Sequence, residues 1–562
     1  MEWEEIAAAK KTSLLDLIPP PWRLSPAELP SVASLRNVTE YACNFLNWLE
    51  IEITNSSSTN ILDKIRSREW TSVEVTRAFC HRASLAHQLV KWTNCLSEIC
   101  FLAAQRRAQF LDEYLATNGR TIGPLHGLPV SLKDRFNIEG LESACGYASW
   151  LGEKKDSASE GTLVKALRQM GAVFFVKTNV PMSMLMGETS NNIIGVTINP
   201  YNRELSAGGA SGGEGALLAM KGSPVGWGSD IAGSVRIPCS FNNLYGLRPS
   251  FGRLPASGLV TSLPGLPVAD SVVGPMSQDL HSLSVMTEAM LDVSPWQEDI
   301  DVIEMPWREE VLQATRNRSC IPGERNGRLV FAILACDYTV NPHPPVQRAV
   351  KMVRQALLDQ GYEVVDWDPP HHSIAADLLF RILGSTAGQE IRRAVDASGE
   401  PPMQQMQSWY DDLETEPSST ADFWDLCRRR KLYREAYNSY WQSSRERTNS
   451  KRYVDGVIMP VAPSAAVEPG LSGYYAYSGI VNLLDYTAVS FPVTFADKDQ
   501  DRQRNGLEPL SEADEVIARM YRKDFFHGAP VGLQVMGRRF QEEKVLGLAE
   551  AIENALQEAR PA

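Results

Sequence analysis

Nine of the 26 residues from Gly208 to Gly233 are glycine, against roughly two at the average usage of about 7%. Such a stretch cannot form one long helix or an unbroken strand. Glycine supplies positive φ and close main-chain approach, so the backbone here turns tightly and comes near something else. Read in order, Gly212 to Gly222 is a short helix, with Glu214 in its first turn, Lys221 in its last and Gly222 at its C-cap. A strand over Val225–Trp227 follows, and the run ends on Ser234. The N–H groups of Ile231, Ala232, Gly233 and Ser234 can converge on one point there, as an oxyanion hole requires. Ala232 must then hold a negative φ or bear strain. Asp230 and Arg236 read as a structural pair beside this turn. A phosphate loop is excluded because Lys221 precedes Gly222 and Ser223, and no G-K-[ST] occurs.

The remainder of the chain narrows the class. With 562 residues and 43% hydrophobic side chains it can bury a large core. A net charge of -13 argues against a nucleic-acid partner, which needs a basic face. Nine cysteines, scattered and without C-x-x-C pairs, read as reduced and mostly buried thiols of a cytoplasmic protein. Without H-E-x-x-H or a matching ligand spacing, neither a metal nor a cofactor is expected. No apolar run approaches the 18 or so residues of a membrane span, and the acidic N-terminus does not read as a signal peptide.

Residues 1–60 read as an N-terminal helical arm broken at Pro19-Pro20-Pro21, Pro26 and Pro30. A helix starts near Thr71, with Glu74 completing a capping box. From about residue 123, apolar runs alternate with helical segments, at 128–132, 173–176, 225–227, 329–334, 457–461 and 531–535. The reading is α/β, a mixed sheet with helices on both faces. Residues 292–327 are polar and aperiodic, and read as a surface connection.

The glycine-rich stretch resembles the signature of the amidase signature family, serine hydrolases with a Ser-Ser-Lys triad. Gly127-Leu128-Pro129-Val130-Ser131-Leu132-Lys133-Asp134 matches its lysine block, and Lys177–Pro181, Tyr245–Ser250, Asp455–Pro460 and Ala529–Val535 look like further blocks in family order. The similarity is greatest to fungal acetamidase-type members. It implies one domain over 61–562 on a single large mixed sheet, a small-molecule amide substrate and no cofactor, and it leaves a homodimer open. It also implies Ser234 as nucleophile and Lys133 as base, where a lone lysine at a strand end would otherwise read as a surface residue. The oxyanion hole would be Ile231, Ala232, Gly233 and Ser234, with Met186, Gly208, Gly209 and Ser211 against the substrate. Pocket walls are expected from 182–192, 383–393 and 474–483. The bond entering residue 210 is expected to be cis.

One position departs from the family. The bridging serine lies 24 residues before the nucleophile, at position 210, and residue 210 is alanine. Ser211 matches the next family serine, which is not the bridge. The relay from Ser234 to Lys133 thus lacks a hydroxyl. Either an engineered serine-to-alanine change or a natural chain that is weak, silent or water-assisted accounts for this, and the intact remainder of the signature favours the first. A catalytically silent binding protein on the same fold is the alternative from another class. Gly209-Ala210-Ser211-Gly212-Gly213 also fits the G-x-S-x-G elbow of an α/β-hydrolase esterase, with Asp366, His371, His372 and His527 downstream. That elbow needs a preceding buried strand, which Asn199–Ser206 cannot be.

Overall fold

The eleven strands of the main sheet are β1 (Leu96–Ile99), β2 (Pro129–Lys133), β3 (Val173–Thr178), β6 (Val225–Asp230), β7 (Tyr245–Arg248), β8 (Val272–Ser277), β9 (Val330–Ile333), β10 (Glu363–Asp366), β11 (Gly456–Pro460), β12 (Ala488–Phe495) and β13 (Pro530–Met536). β4 (Ser190–Asn191) and β5 (Gly195–Val196) form a separate small ribbon. The computed structural model describes residues 2–89, 94–319, 327–407, 416–471, 473–502 and 508–559. Across the main sheet the order is β1-β3-β2-β6-β8-β7-β12-β13-β11-β9-β10. β2 runs parallel to both β3 and β6, β9 runs parallel to β10 and β11, and the other neighbours are antiparallel. Every residue of β2, β3, β6 and β13 is buried. Strands covered on both faces read as continuous apolar runs, which is why they were visible in the sequence.

Neighbouring parallel strands place their carboxyl ends together, and that edge is where ligands bind in open α/β sheets. β2 ends on Lys133 and β6 ends on Asp230. The Gly212–Ala219 helix packs behind them through Glu214, which accepts hydrogen bonds from Ser131 Oγ at 2.6 Å and Thr178 Oγ1 at 3.0 Å. Burial pushes this carboxyl up to about 8. The helix stops earlier than its sequence suggests. Met220 is the C-cap, and Lys221, with φ +56, takes the left-handed position expected of Gly222. A Cβ at Gly222 would lie 2.5 Å from Leu217 Cδ1, so a side chain there would displace that methyl group.

The N-terminal segment is helical and broken at its prolines, with helices Trp3–Leu17, Trp48–Asn55 and Ser58–Arg66. Leu14, Ile53 and Ile61 enter the same core as Phe79 and Val130. The capping box at Thr71 and Glu74 opens the Ser72–Gln88 helix as expected. The stretch 292–327 is not merely a connection. It contains the helix Glu309–Ser319, which packs on the final helix, Glu542–Glu558, through Leu312 and Thr315 against Gly547 and through Arg316 on Glu550 at 2.6 Å. Few of its side chains are buried, so no 3.6-residue period was legible. The eight described cysteines are free, four fully buried and four half-buried; Cys320 lies outside the described residues. None of the described helices is long and apolar enough to cross a membrane.

Candidate active site

Ser234 sits in the turn between β6 and the Arg236–Phe241 helix. That turn is wound around Asp230. Its carboxylate accepts from Gly233 N at 2.8 Å, Val235 N at 3.2 Å, Arg236 Nε at 3.0 Å and Asn482 Nδ2 at 2.9 Å. Arg236 donates further to Ser478 O, Asn482 Oδ1 and Gln534 Oε1. Both members of the pair are fully buried. Burial alone would raise the Asp230 carboxyl, but Arg236 outweighs it and holds the group well below the usual range. Gly233 has φ +121, and a Cβ there would meet Ser478 at 2.5 Å, so only glycine fits. Ala232 keeps a negative φ.

The amide array differs from the expectation in one member. Gly233 N–H is donated to Asp230, because the carboxylate that shapes the turn needs that donor. Among the described residues, no protein acceptor takes the N–H of Ile231, Ala232 or Ser234.

Lys133 is 1% exposed, and its Nζ donates to Ser229 Oγ at 3.0 Å and Ser229 O at 3.4 Å. Burial drives the amine well below its ordinary value, the positive charge of Arg135 adds to this, and Asp230, Cys145 and Glu214 pull the other way. A lysine held neutral can accept a proton. Lys133, Ser229 and Ser234 line one small recess of about 20 Å³.

Ala210 is fully buried, preceded by a cis Gly209–Ala210 bond. Its methyl group belongs to an apolar cluster with Cys145, Val180, Met182, Met186 and Met406. Ser211 lies next to it, but its Oγ donates to Ser229 O and accepts from Ser229 N, both at 3.4 Å, while its N–H donates to Ser234 O at 3.1 Å. Neither Ser211 nor Gly208 lines the cavity that opens onto Ser234, whereas Met186 and Gly209 do. Gly208 instead offers its carbonyl to Thr189 Oγ1 at 2.9 Å. The Asn199–Ser206 stretch before this turn has no strand, and Ser211 opens a helix rather than crowning a strand.

The cavity beside Ser234, of about 240 Å³, opens onto Ser234, Ile231 and Ala232. Its walls are Leu185, Met186, Ile237, Phe380, Leu383 and Tyr475, with no charged side chain among its lining residues. All three expected wall segments contribute. Phe380 and Gln405 were missed, since nothing in their sequence surroundings distinguishes them from core or loop. Arg135, which lines the small recess together with Lys133 and Ser234, was missed too. Among the described residues, no group of three or more His, Cys, Asp or Glu could hold a metal ion.

The sequence and the fold both match known proteins. The Amidase family model matches residues 74–546. An acetamidase of Emericella nidulans is 39% identical over 550 residues, covering 98% of this chain and 97% of the relative. An acetamidase of Aspergillus oryzae is 40% identical over 553 residues, covering 98% of each. Among solved structures, a fatty acid amide hydrolase superposes with a TM-score of 0.89 at 30% identity, covering 99% of this chain and 95% of that one. With both the sequence blocks and the whole fold shared, the chain belongs to the amidase family.

Proposed function

We propose that this amidase-family hydrolase cleaves a neutral carboxamide through an acyl-enzyme on Ser234, with Lys133 as base, and that Ala210 slows the reaction. Ser234 Oγ bonds to the amide carbon as its proton passes toward the Lys133 amine. The carbonyl electrons move onto oxygen, facing the free N–H groups of the turn. Collapse breaks the C–N bond and the nitrogen leaves with a proton, after which water cleaves the ester. The observation that carries this reading is the recess shared by Lys133, Ser229 and Ser234 at the mouth of the apolar cavity. That the Ser211 hydroxyl is tied to the Ser229 backbone favours Ser234 over Ser211 as the nucleophile.

The relatives' name supports a small acyl group, but the cavity supports a larger one. A water occupies about 30 Å³ in the liquid, so 240 Å³ far exceeds the four heavy atoms of acetamide. Walls without charge favour an aliphatic or aryl acyl group. The reading holds for an engineered alanine and for a natural one alike, since the same hydroxyl is missing. Ala210 also supports a second reading, a silent binding protein on this fold.

A panel of primary amides from acetamide to phenylacetamide, assayed for ammonia release with the Ala210 chain and with Ala210→Ser, separates the two. Turnover that rises with serine supports hydrolysis. No turnover from either protein across the panel, with binding retained, supports the silent protein. Ser234→Ala in the Ala210→Ser protein is expected to abolish acyl-enzyme formation, and Ser211→Ala to leave substantial activity.

A further inference from the structure

Arg135 is 5% exposed and follows β2 by two residues. Its guanidinium is held by neutral oxygens alone: Ser229 Oγ at 3.1 Å and Ser271 Oγ at 2.8 Å from Nη1, and Val260 O at 3.1 Å from Nε. Among the described residues no carboxylate lies within ion-pair distance of it. That alone argues little, since Arg82 is also buried on neutral acceptors, Met220 O and Thr54 Oγ1, far from any catalytic group. What sets Arg135 apart is that it shares its acceptor with Lys133. The Ser229 hydroxyl oxygen receives Lys133 Nζ at 3.0 Å and Arg135 Nη1 at 3.1 Å. The two nitrogens are therefore at most about 6 Å apart, within the range where a like charge disfavours ionisation.

The other groups facing Lys133 do not cancel this charge. Asp230 is already neutralised by Arg236 at 3.0 Å. Asp134, next in the chain, is paired with Lys177 at 2.9 Å. Glu214, on the helix behind the strand, is pushed up to about 8 by burial and so is largely uncharged at neutral pH. Cys145 is pushed up to about 12 by burial and is a neutral thiol. Arg135, lowered by burial only to about 10, stays charged. Near pH 7 it is the uncompensated charge beside the lysine.

We propose that Arg135 is a positioning residue of the reaction: its guanidinium, seated on the same Ser229 hydroxyl as the Lys133 amine, keeps that amine in its proton-accepting form beside Ser234. This inference rests on the acyl-enzyme reading above. It goes beyond that reading by assigning the electrostatic work to a residue outside the triad.

The test is the pH dependence of Ser234 acylation by p-nitrophenyl acetate, read as the nitrophenolate burst and the acyl mass increment, in full-length Ala210→Ser protein between pH 5 and 10. Arg135→Met is expected to move the ascending limb to higher pH by about one unit or more, which lowers the burst rate at pH 7 roughly tenfold or more. Arg135→Lys, which keeps the charge, should leave the limb near its original position. Arg135→Gln keeps a donor for the two hydroxyls without the charge, and should move the limb as methionine does if the methionine variant fails to fold. A limb unmoved in folded Arg135→Gln or Arg135→Met protein overturns the proposal while leaving the acyl-enzyme reading intact. An acyl increment that survives Ser234→Ala overturns both.

Discussion

Two buried arginines flank Ser234, the proposed nucleophile, and are held in opposite ways. Arg236 meets a carboxylate, two side-chain amide oxygens and a backbone carbonyl, so its charge and its donors are cancelled locally. Arg135 meets two hydroxyls and a carbonyl, so its donors are satisfied while its charge is not. The first arrangement fixes a backbone: Asp230, held by Arg236, winds the turn that carries Ser234. The second leaves a field, and Lys133, which shares the Ser229 hydroxyl with it, feels that field. Satisfying hydrogen bonds and cancelling charge are separate requirements, and this site meets both on one side only.

The same substitution at both positions breaks the comparison most sharply, and the larger effect belongs to Arg236. Arg236→Met strands the Asp230 carboxylate in a fully buried site. Breaking a buried pair by removing one partner costs about 3 to 5 kcal/mol, and a loss of this order is expected in urea unfolding at pH 7. In the native chain Asp230 is depressed in the folded state, so its pair stabilises the fold above the unfolded carboxyl value near 3.9 and that contribution is lost as pH falls through the still lower folded value. Without Arg236, burial raises the carboxyl instead. The variant's deficit should thus shrink as pH falls toward 4, where Asp230 takes up a proton. A deficit below about 1 kcal/mol at pH 7, or one independent of pH, would show that Asp230 is not held as a charge.

Restoring the hydroxyl at residue 210 tests the other side of the site. On the proposed mechanism, Ala210 leaves Ser234, the free N–H groups and Lys133 in place, and removes a step in the proton path. General acid–base assistance is worth roughly 10² to 10⁴-fold, so Ala210→Ser should raise kcat by at least about 10²-fold, or about 2.7 kcal/mol of barrier. Ligand affinity should change far less. The variant must also find room for an oxygen among Cys145, Met182 and Met186. A strong change in affinity with kcat unmoved would make residue 210 a pocket wall.

What the sequence disclosed follows the same division between backbone and field. β2, β3, β6 and β13 were legible because each, buried on both faces, carries a short apolar run bounded by turn residues. The turn at Ser234 was legible because close main-chain approach demands glycine. The Glu309–Ser319 helix was not, since it touches the core mainly at Leu312 and Thr315. Gly222 was assigned the left-handed position, which Lys221 takes instead. The donation from Gly233 to Asp230 was hidden because a run of amides does not reveal which one its own carboxylate takes. Arg135 was hidden because the groups that hold it are remote in sequence: Ser229 and Ser271 are 94 and 136 residues away.

The smallest expected effect falls on the stability of Arg135→Met. Methionine fills much of the same volume, and the substitution removes a charge that no carboxylate is left to miss. The hydroxyls of Ser229 and Ser271 lose a donor but can rotate toward other partners. Ser229 keeps Lys133 Nζ in any case. Replacing buried ionic groups by apolar ones of similar size is often neutral or stabilising, so the unfolding midpoint in urea should correspond to a change within about 1 kcal/mol at unchanged slope. The pairing with Arg236→Met makes the outcome decisive. If both arginines cost the fold several kcal/mol, Arg135 is a structural brace whose partners depend on it, and its field on Lys133 is incidental. If Arg135→Met is nearly neutral for stability yet shifts the acylation limb, the charge is kept for the lysine.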